Sequence, residues 1–245
     1  MNIDLRLGDC LELMKDIPDG SVDIILCDLP YGTTRNKWDC VIDLDALWKH
    51  YCRIIKGNGI IALFAQCPFD KVLGCSNIEM LKYEWIVEKT KATGHLNAKK
   101  TPMKAHEKVL IFYKSPGTYH PQMTEGHKAV HSYTKHKTDG SCYGRTRIGI
   151  SGGGSTTRYP RDVLKFKWDT QKSSLHPTQK PVALLEYLVK TYTNEGDIVL
   201  DNCMGSGSTG VACVNTNRNF IGIELDENYF NIAKNRIEEA RAVCV

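Results

Sequence analysis

The run DIVLDNCMGSGSTGVAC, residues 197 to 213, limits the fold more than any other part of the chain. An apolar strand, Asp197 to Asp201, runs into Gly205-Ser206-Gly207-Ser208-Thr209-Gly210. This is a G-x-G-x-x-G turn that opens a helix reaching Val214. Glycine lets the backbone bend tightly and approach a ligand, and the strand–turn–helix context gives so short a pattern its meaning. Such a unit belongs to a parallel sheet, which needs several neighbouring strands. Only one more strand, Asn219 to Glu224, and one closing helix, Glu227 to Ala242, follow it in a chain of 245 residues. The missing strands must come from the N-terminal third. The expectation is therefore an α/β fold whose halves are written in permuted order, with the ligand-binding half last.

The N-terminal third has the elements required. Asn2 to Leu7 reads as a strand and Cys10 to Lys15 as a short helix. Val22 to Cys27 is a continuous apolar strand of the kind buried on both faces. Leu44 to Ile55 is helical, with Leu44, Leu47, Trp48, Tyr51 and Ile55 on one face. Lys56-Gly57-Asn58-Gly59 reads as its stop, and Gly59 to Phe64 as the next strand. Residues 90 to 165 show little periodicity apart from a strand at Lys108 to Tyr113. Ser151 to Ser155 reads as a flexible glycine loop, because no Gly-Lys-Ser/Thr follows to make it a phosphate loop. Order resumes with a helix at Pro181 to Tyr192. The segments expected are a catalytic half (1–89), an insert (90–168) and a cofactor-binding half (169–245).

Charge separates the insert from the rest. Lys89 to Lys172 holds 17 Lys and Arg against 5 Asp and Glu, a net of +12, while the remainder carries −8. That asymmetry points to a polyanion partner on one segment. The 10 cysteines include no Cys-x-x-Cys pair, and several lie in apolar runs, as reduced core thiols do. No metal site is expected. His106-Glu107 opens like a zinc-protease helix, but Leu110 stands where the second histidine is needed. His127 and His131 have helical spacing and are assigned no metal. With no apolar run long enough to span a bilayer and no signal-peptide pattern at the start, a cytoplasmic protein is expected.

A second motif, Asp28-Leu29-Pro30-Tyr31-Gly32, ends the strand at Cys27. Read alone it is a turn. The glycine loop has an acidic partner of its own, because Glu224 stands 19 positions beyond Gly205 at the end of the next strand. A carboxylate there can accept both ribose hydroxyls of an adenosine-containing cofactor.

Together these motifs resemble the DNA amino-methyltransferases that modify adenine N6 or cytosine N4, in the permuted order of their β group. Further matches are Gly8-Asp9-Cys10, "TPMKAHEKVLIFYK" at 101 to 114, "HPTQKP" at 176 to 181 and "GIELDENYF" at 222 to 230. The resemblance implies a Rossmann-like S-adenosylmethionine-dependent fold with an inserted target-recognition region. It implies a reaction without a covalent intermediate. Asp28 accepts one N–H of the target amine, the Leu29 carbonyl accepts the other, Pro30 stiffens the loop, and Tyr31 stacks on a flipped base. It implies cofactor contacts from Asp9, Cys10, Cys203, Gly205, Ser206, Gly207 and Glu224, with Asp201, Thr178 and Lys180 towards the methionine end. Asp9 could instead cap the helix that follows it.

Two departures from the family pattern stand out: Leu29 replaces a proline, and Asn202-Cys203 replaces Pro-Phe. Adenine is favoured over cytosine because an acid at position 28 is more typical of the adenine enzymes. A C5-cytosine enzyme is set aside, since no Pro-Cys pair occurs. A nicotinamide-dependent oxidoreductase would leave Asp28 to Tyr31 and the basic insert unexplained, and a non-catalytic relative would not need Asp28 and Tyr31. Double-stranded DNA is the expected partner, with a homodimer and a restriction endonuclease acting on the same site as further possibilities. In the insert, Arg145, Arg147, Arg158 and Arg161 are the candidates for contact with bases or phosphates.

Overall fold

The computed structural model describes residues 1–32, 41–134, 151–167 and 179–243. In chain order its elements are β1 (Ile3–Leu7), α1 (Cys10–Leu13), β2 (Val22–Cys27), α2 (Leu44–Ile54), β3 (Ile55–Ala65), α3 (Phe69–Ser76), β4 (Leu81–Thr93) and β5 (Lys104–Phe112). They continue with β6 (Tyr133–Thr134), β7 (Ser151–Gly152), β8 (Val163–Phe166), α4 (Val182–Tyr192), β9 (Ile198–Asp201), α5 (Ser208–Asn215), β10 (Asn219–Glu224) and α6 (Glu227–Val243).

The main sheet runs β1-β10-β9-β2-β3-β5-β4-β8. β1, β10, β9, β2 and β3 are mutually parallel, and β5 runs antiparallel to both β3 and β4. The C-terminal strands β9 and β10 lie between β1 and β2, so the permuted order read from the sequence is the order in space.

β2 shows why its last four residues are apolar without alternation. Ile24 and Leu26 face the core under α4, α5 and α6, while Ile25 and Cys27 face the core with residues of α2 and α3. All four are essentially inaccessible. Two layers of helices bury both faces of the strand, and each face must be hydrophobic.

Several expectations about local structure change. Lys56 to Gly59 does not stop a helix before a strand; it lies inside β3, which begins at Ile55. The register shifts there, from Val22 opposite Ile55 to Ile24 opposite Ile60, so the extra residues form a bulge. A Cβ on Gly59 would meet the Asp23 carbonyl oxygen at 2.9 Å, which is why glycine stands at that point. The sequence pattern gives no sign of β4 or α3. β4 carries Glu84, Glu88 and Lys89 within its length and hides its period, although Trp85 and Val87 are buried.

The boundaries of the insert also differ. One compact unit comprises Met1–His120 with Asp162–Val245, and a second comprises Pro121–Arg161. The sequence places residues 90–120 and 162–168 in the insert, but β4, β5 and β8 pair into the main sheet. Within the second unit the glycine run is held rather than loose. Ser151 and Gly152 pair with Thr134 and Tyr133, and the Gly154 N–H donates to the Val130 carbonyl at 2.8 Å. A Cβ on Gly153 would come within 2.8 Å of Ser132 Cα. His127 and His131 do not share a helix face, because that stretch is not helical.

Candidate active site

In a parallel sheet the carboxyl ends of all strands lie on one rim, and ligands bind where the connections diverge to either side. That point falls between β9 and β2. The rim brings together Asp9 and Cys10 after β1, Glu224 ending β10, Asp201 ending β9 and Asp28 after β2. Residues more than 170 positions apart in sequence thus become neighbours, as the parallel pairing of Ile25 with Leu200 requires.

The glycine turn is tied to this rim by carboxylates. Glu224 accepts the Gly205 N–H at 2.8 Å on one oxygen and the Asp226 N–H at 2.9 Å on the other. Burial raises its pKa. Asp201 accepts the Thr209 hydroxyl at 2.6 Å and the Cys203 N–H at 3.2 Å, and burial pushes its pKa up to about 6. Gly207 has φ +78°, and a Cβ there would sit 2.9 Å from Ala233 Cα. It therefore serves both the turn and the seating of α6 against α5. Ser206 is buried, and its hydroxyl and carbonyl both accept from the Arg236 guanidinium. Asp9 caps α1, accepting the Leu11 N–H at 2.7 Å.

The donor set bears on what the turn could hold. Acids surround it (Asp9, Asp201, Glu224 and Asp226), and Arg236 is turned onto Ser206. Carboxylates suit hydroxyls, amines and a cationic group. They oppose the pyrophosphate of a dinucleotide, which this kind of turn would otherwise accept.

The two departures in this turn have local partners. Asn202 is buried and accepts the Tyr51 hydroxyl at 2.5 Å, a bond a proline could not make. Cys203 meets Cys10 and Cys27. Hydrogen bonding to Cys10 and Cys27, with burial, raises the Cys203 thiol pKa, while the bond to Cys203 lowers that of Cys10. Burial pushes Cys27 up to about 12.

Asp28 is the centre of the other half. One of its oxygens accepts the Tyr31 hydroxyl at 2.6 Å, and the other lies 2.7 Å from the Lys180 ammonium. Burial and the nearby Glu107 charge raise its pKa, and Lys180 opposes them. Leu29 is buried in the core on the α2 side, so its side chain supports the loop from below and leaves only its backbone on the rim. Pro30 is partly exposed. Tyr31 stacks on Phe69, with ring centroids 5.2 Å apart. One face of the ring is thus taken by the protein.

Lys180, expected at the methionine end, is placed on Asp28 and also 3.0 Å from Glu107. Thr178, Arg145 and Arg147 lie outside the described residues. The Arg158 guanidinium donates to the carbonyls of Ser155, Thr157 and Lys128 and closes its own loop. Arg161 is exposed. Glu107, Lys89, Gln66, Phe69 and Tyr51 also build or brace the site, and sequence reasoning missed them. The signal for Glu107 was the single acid of β5, standing just before its apolar run Val109 to Phe112.

Comparison with known proteins identifies the family. A family model described as DNA methylase matches residues 22–235. The chain belongs to the DNA methylase family. Its methylase relatives include DNA adenine methyltransferase YhdJ of Escherichia coli K12, 29% identical over 95% of this chain and 82% of that protein. The type II methyltransferase M.HpaI of Haemophilus parainfluenzae is 27% identical over 96% of this chain and 75% of that one. Among solved structures, a complex of M1.HpyAVI with SAM covers 96% of this chain and 98% of its own, at 28% identity and a TM-score of 0.66. The cytosine-N4-specific PvuII methyltransferase, at 16% identity and a TM-score of 0.69, shares the fold. The methylase is thus a DNA methyltransferase of the N6-adenine/N4-cytosine type, with the mostly parallel sheet of that fold.

Proposed function

We propose that the protein transfers a methyl group from S-adenosylmethionine to the exocyclic N6 of adenine in duplex DNA. The observation that carries this reading is the braced Asp28 carboxylate at the sheet's switch point. The likeness to a SAM complex and to an adenine methyltransferase supports the choice of cofactor and base. The acidic turn fits a donor with a ribose and a positive charge. When bound, S-adenosylmethionine supplies an electrophilic methyl group on a sulfonium centre.

The chain's own residues do the rest by position and charge. An amine conjugated to a purine is a poor nucleophile, because its lone pair is delocalised. A carboxylate accepting one N–H, with the Leu29 carbonyl accepting the other, favours the geometry in which the lone pair is free. The same acceptors stabilise positive charge growing on nitrogen. Tyr31 and Lys180 fix the Asp28 rotamer without occupying every lone pair of its oxygens. The target base must leave the helix stack to reach this rim. The face of the Tyr31 ring turned away from Phe69 is the surface against which it would rest. Glu224 takes the ribose, and Asp9 and Cys10 border the adenine. The basic segment is the DNA-contacting part, with Arg145, Arg147, Arg158 and Arg161 as its candidates.

The test is transfer of labelled methyl groups to unmethylated genomic DNA, followed by nucleoside analysis. Label in N6-methyladenine that is lost with Asp28→Ala supports the reading. Label in N4-methylcytosine keeps the mechanism and changes the base. Absence of label in both nucleosides overturns it.

A further inference from the structure

Behind Asp28 the interior holds a line of charges that the transfer reaction does not itself require. Lys180 lies 2.7 Å from Asp28 and 3.0 Å from Glu107. The second Glu107 oxygen lies 2.5 Å from the Lys89 ammonium and accepts the Gln66 amide at 2.7 Å. The Lys180, Lys89 and Glu107 side chains are between 6% and 8% exposed. The Lys180 ammonium also stands 5.0 Å from the centre of the Phe64 ring. Five segments meet here: the loop after β2, the end of β3, β4, β5 and the residues before α4. Fully buried charges are costly and persist where they are paired.

We infer that Glu107 and Lys180 are positioning residues for Asp28, Lys180 holding the carboxylate ionised and aimed, and Glu107 cancelling the excess positive charge that Lys180 would otherwise bring to the target amine. The inference rests on the amine-methylation reading above. A lysine alone beside Asp28 would offset the attraction that Asp28 exerts on a nitrogen becoming positive. A second carboxylate on the far side of that lysine restores the balance. The order of signs along the line, plus at Lys89, minus at Glu107, plus at Lys180 and minus at Asp28, sums to zero. That leaves Asp28 free to respond to the amine.

The electrostatics agree in direction. Burial works against the charge on Lys180, but Asp28 and Glu107 more than compensate and raise its pKa. Burial likewise opposes the charge on Glu107, yet Lys180 and Lys89 hold it down to about 2. Among the described residues, the other groups facing Asp28 are Tyr31 in its own loop, Cys27 before it and Asp201 from β9. None of these is a cation, so Lys180 stands as the counterweight to its burial.

The two positions should therefore move Asp28 in opposite directions. In Lys180→Met the carboxylate loses its cation, and its titration midpoint should rise by about one unit or more. In Glu107→Gln a like charge disappears and Lys180 turns wholly to Asp28, so the midpoint should fall. The direct readout is the ¹³C titration of the Asp28 carboxyl in the folded protein, assigned with Asp28→Asn and requiring no cofactor. The second readout is the acid limb of the kcat profile, which should shift upward in Lys180→Met and downward in Glu107→Gln. Both variants should lose about tenfold or more in kcat, with KM for DNA changed far less.

Lys180→Arg keeps the charge and should keep the midpoint, providing a folded control if the methionine variant is unstable. A midpoint unmoved in both Lys180→Met and Glu107→Gln, or moved in the same direction, overturns the inference. Failure of the methylation reading is seen separately, as wild-type protein that labels no DNA while the carboxyl titrations still differ.

Discussion

At Asp28 a single carboxylate is asked to stay charged in a site that opposes charge. Its oxygens are shared between Tyr31 and Lys180, and both partners favour the ionised form. The reaction needs that form as acceptor. Because burial raises the Asp28 pKa, activity should be full above the raised value and fall as pH drops through it. A profile of kcat against pH checks this, and a flat acid side down to the ordinary aspartate range would contradict it. Asp28→Asn keeps shape but replaces a charged acceptor with a weaker neutral one. We expect a loss of about a hundredfold or more in kcat with DNA binding nearly intact, measured by single-turnover transfer beside a binding assay.

Among elements, the α5–α6 contact shows how the turn is held. Gly207→Ala places a Cβ against the α6 backbone in a left-handed conformation that side chains rarely adopt. A loss of about 1–3 kcal/mol in unfolding free energy is expected from denaturant titration, together with weaker cofactor binding. Asp201, ending β9, gives the opposite kind of prediction. Its folded pKa of about 6 lies above the unfolded value of an aspartate, so the native state binds the extra proton between roughly pH 4 and 6. Its contribution to stability is complete below that window and is lost as pH rises through it. Asp201→Asn, which can still accept from Thr209, should flatten this part of the stability–pH curve; thermal melts across the window measure it.

These elements also show how far the sequence could be read. Strands such as β2 and β10 and the turn at Gly205 were legible because burial and backbone geometry restrict the residues locally. The pairings Asp28–Lys180, Glu107–Lys89 and Asn202–Tyr51 were not. Each joins segments whose adjacency depends on the strand order, and a lone Glu or Lys gives no sign of its partner. β4 was missed because its charges satisfy neighbours across the sheet, Glu84 with Lys108 and Glu88 with Lys165.

Over the whole molecule, that last point changes the account of charge. Lys89, Lys108 and Lys165 fall in the basic stretch, yet each is paired with an acid in the main sheet. The positive charge available to DNA is therefore smaller than the sequence count, and residues 121–161 supply seven Lys and Arg against two acids. DNA affinity should still fall steeply with added salt, with a log–log slope that reports the number of phosphates contacted. A slope near zero in a titration by fluorescence anisotropy would remove this segment from the interface. Sedimentation at working concentration decides between one copy and the homodimer expected from the family resemblance.

The position of β9 has a consequence for how the chain is made. β2 pairs with β3 on one side and with β9 on the other, and nearly all the intervening chain must be synthesised before β9 exists. Until then a strand that is apolar but for Asp23 offers an unprotected edge on the ribosome. A chain stopped before Ile198 should precipitate on release, and adding residues 198–243 as a separate fragment during translation should keep it dispersed, a comparison that pelleting assays can make.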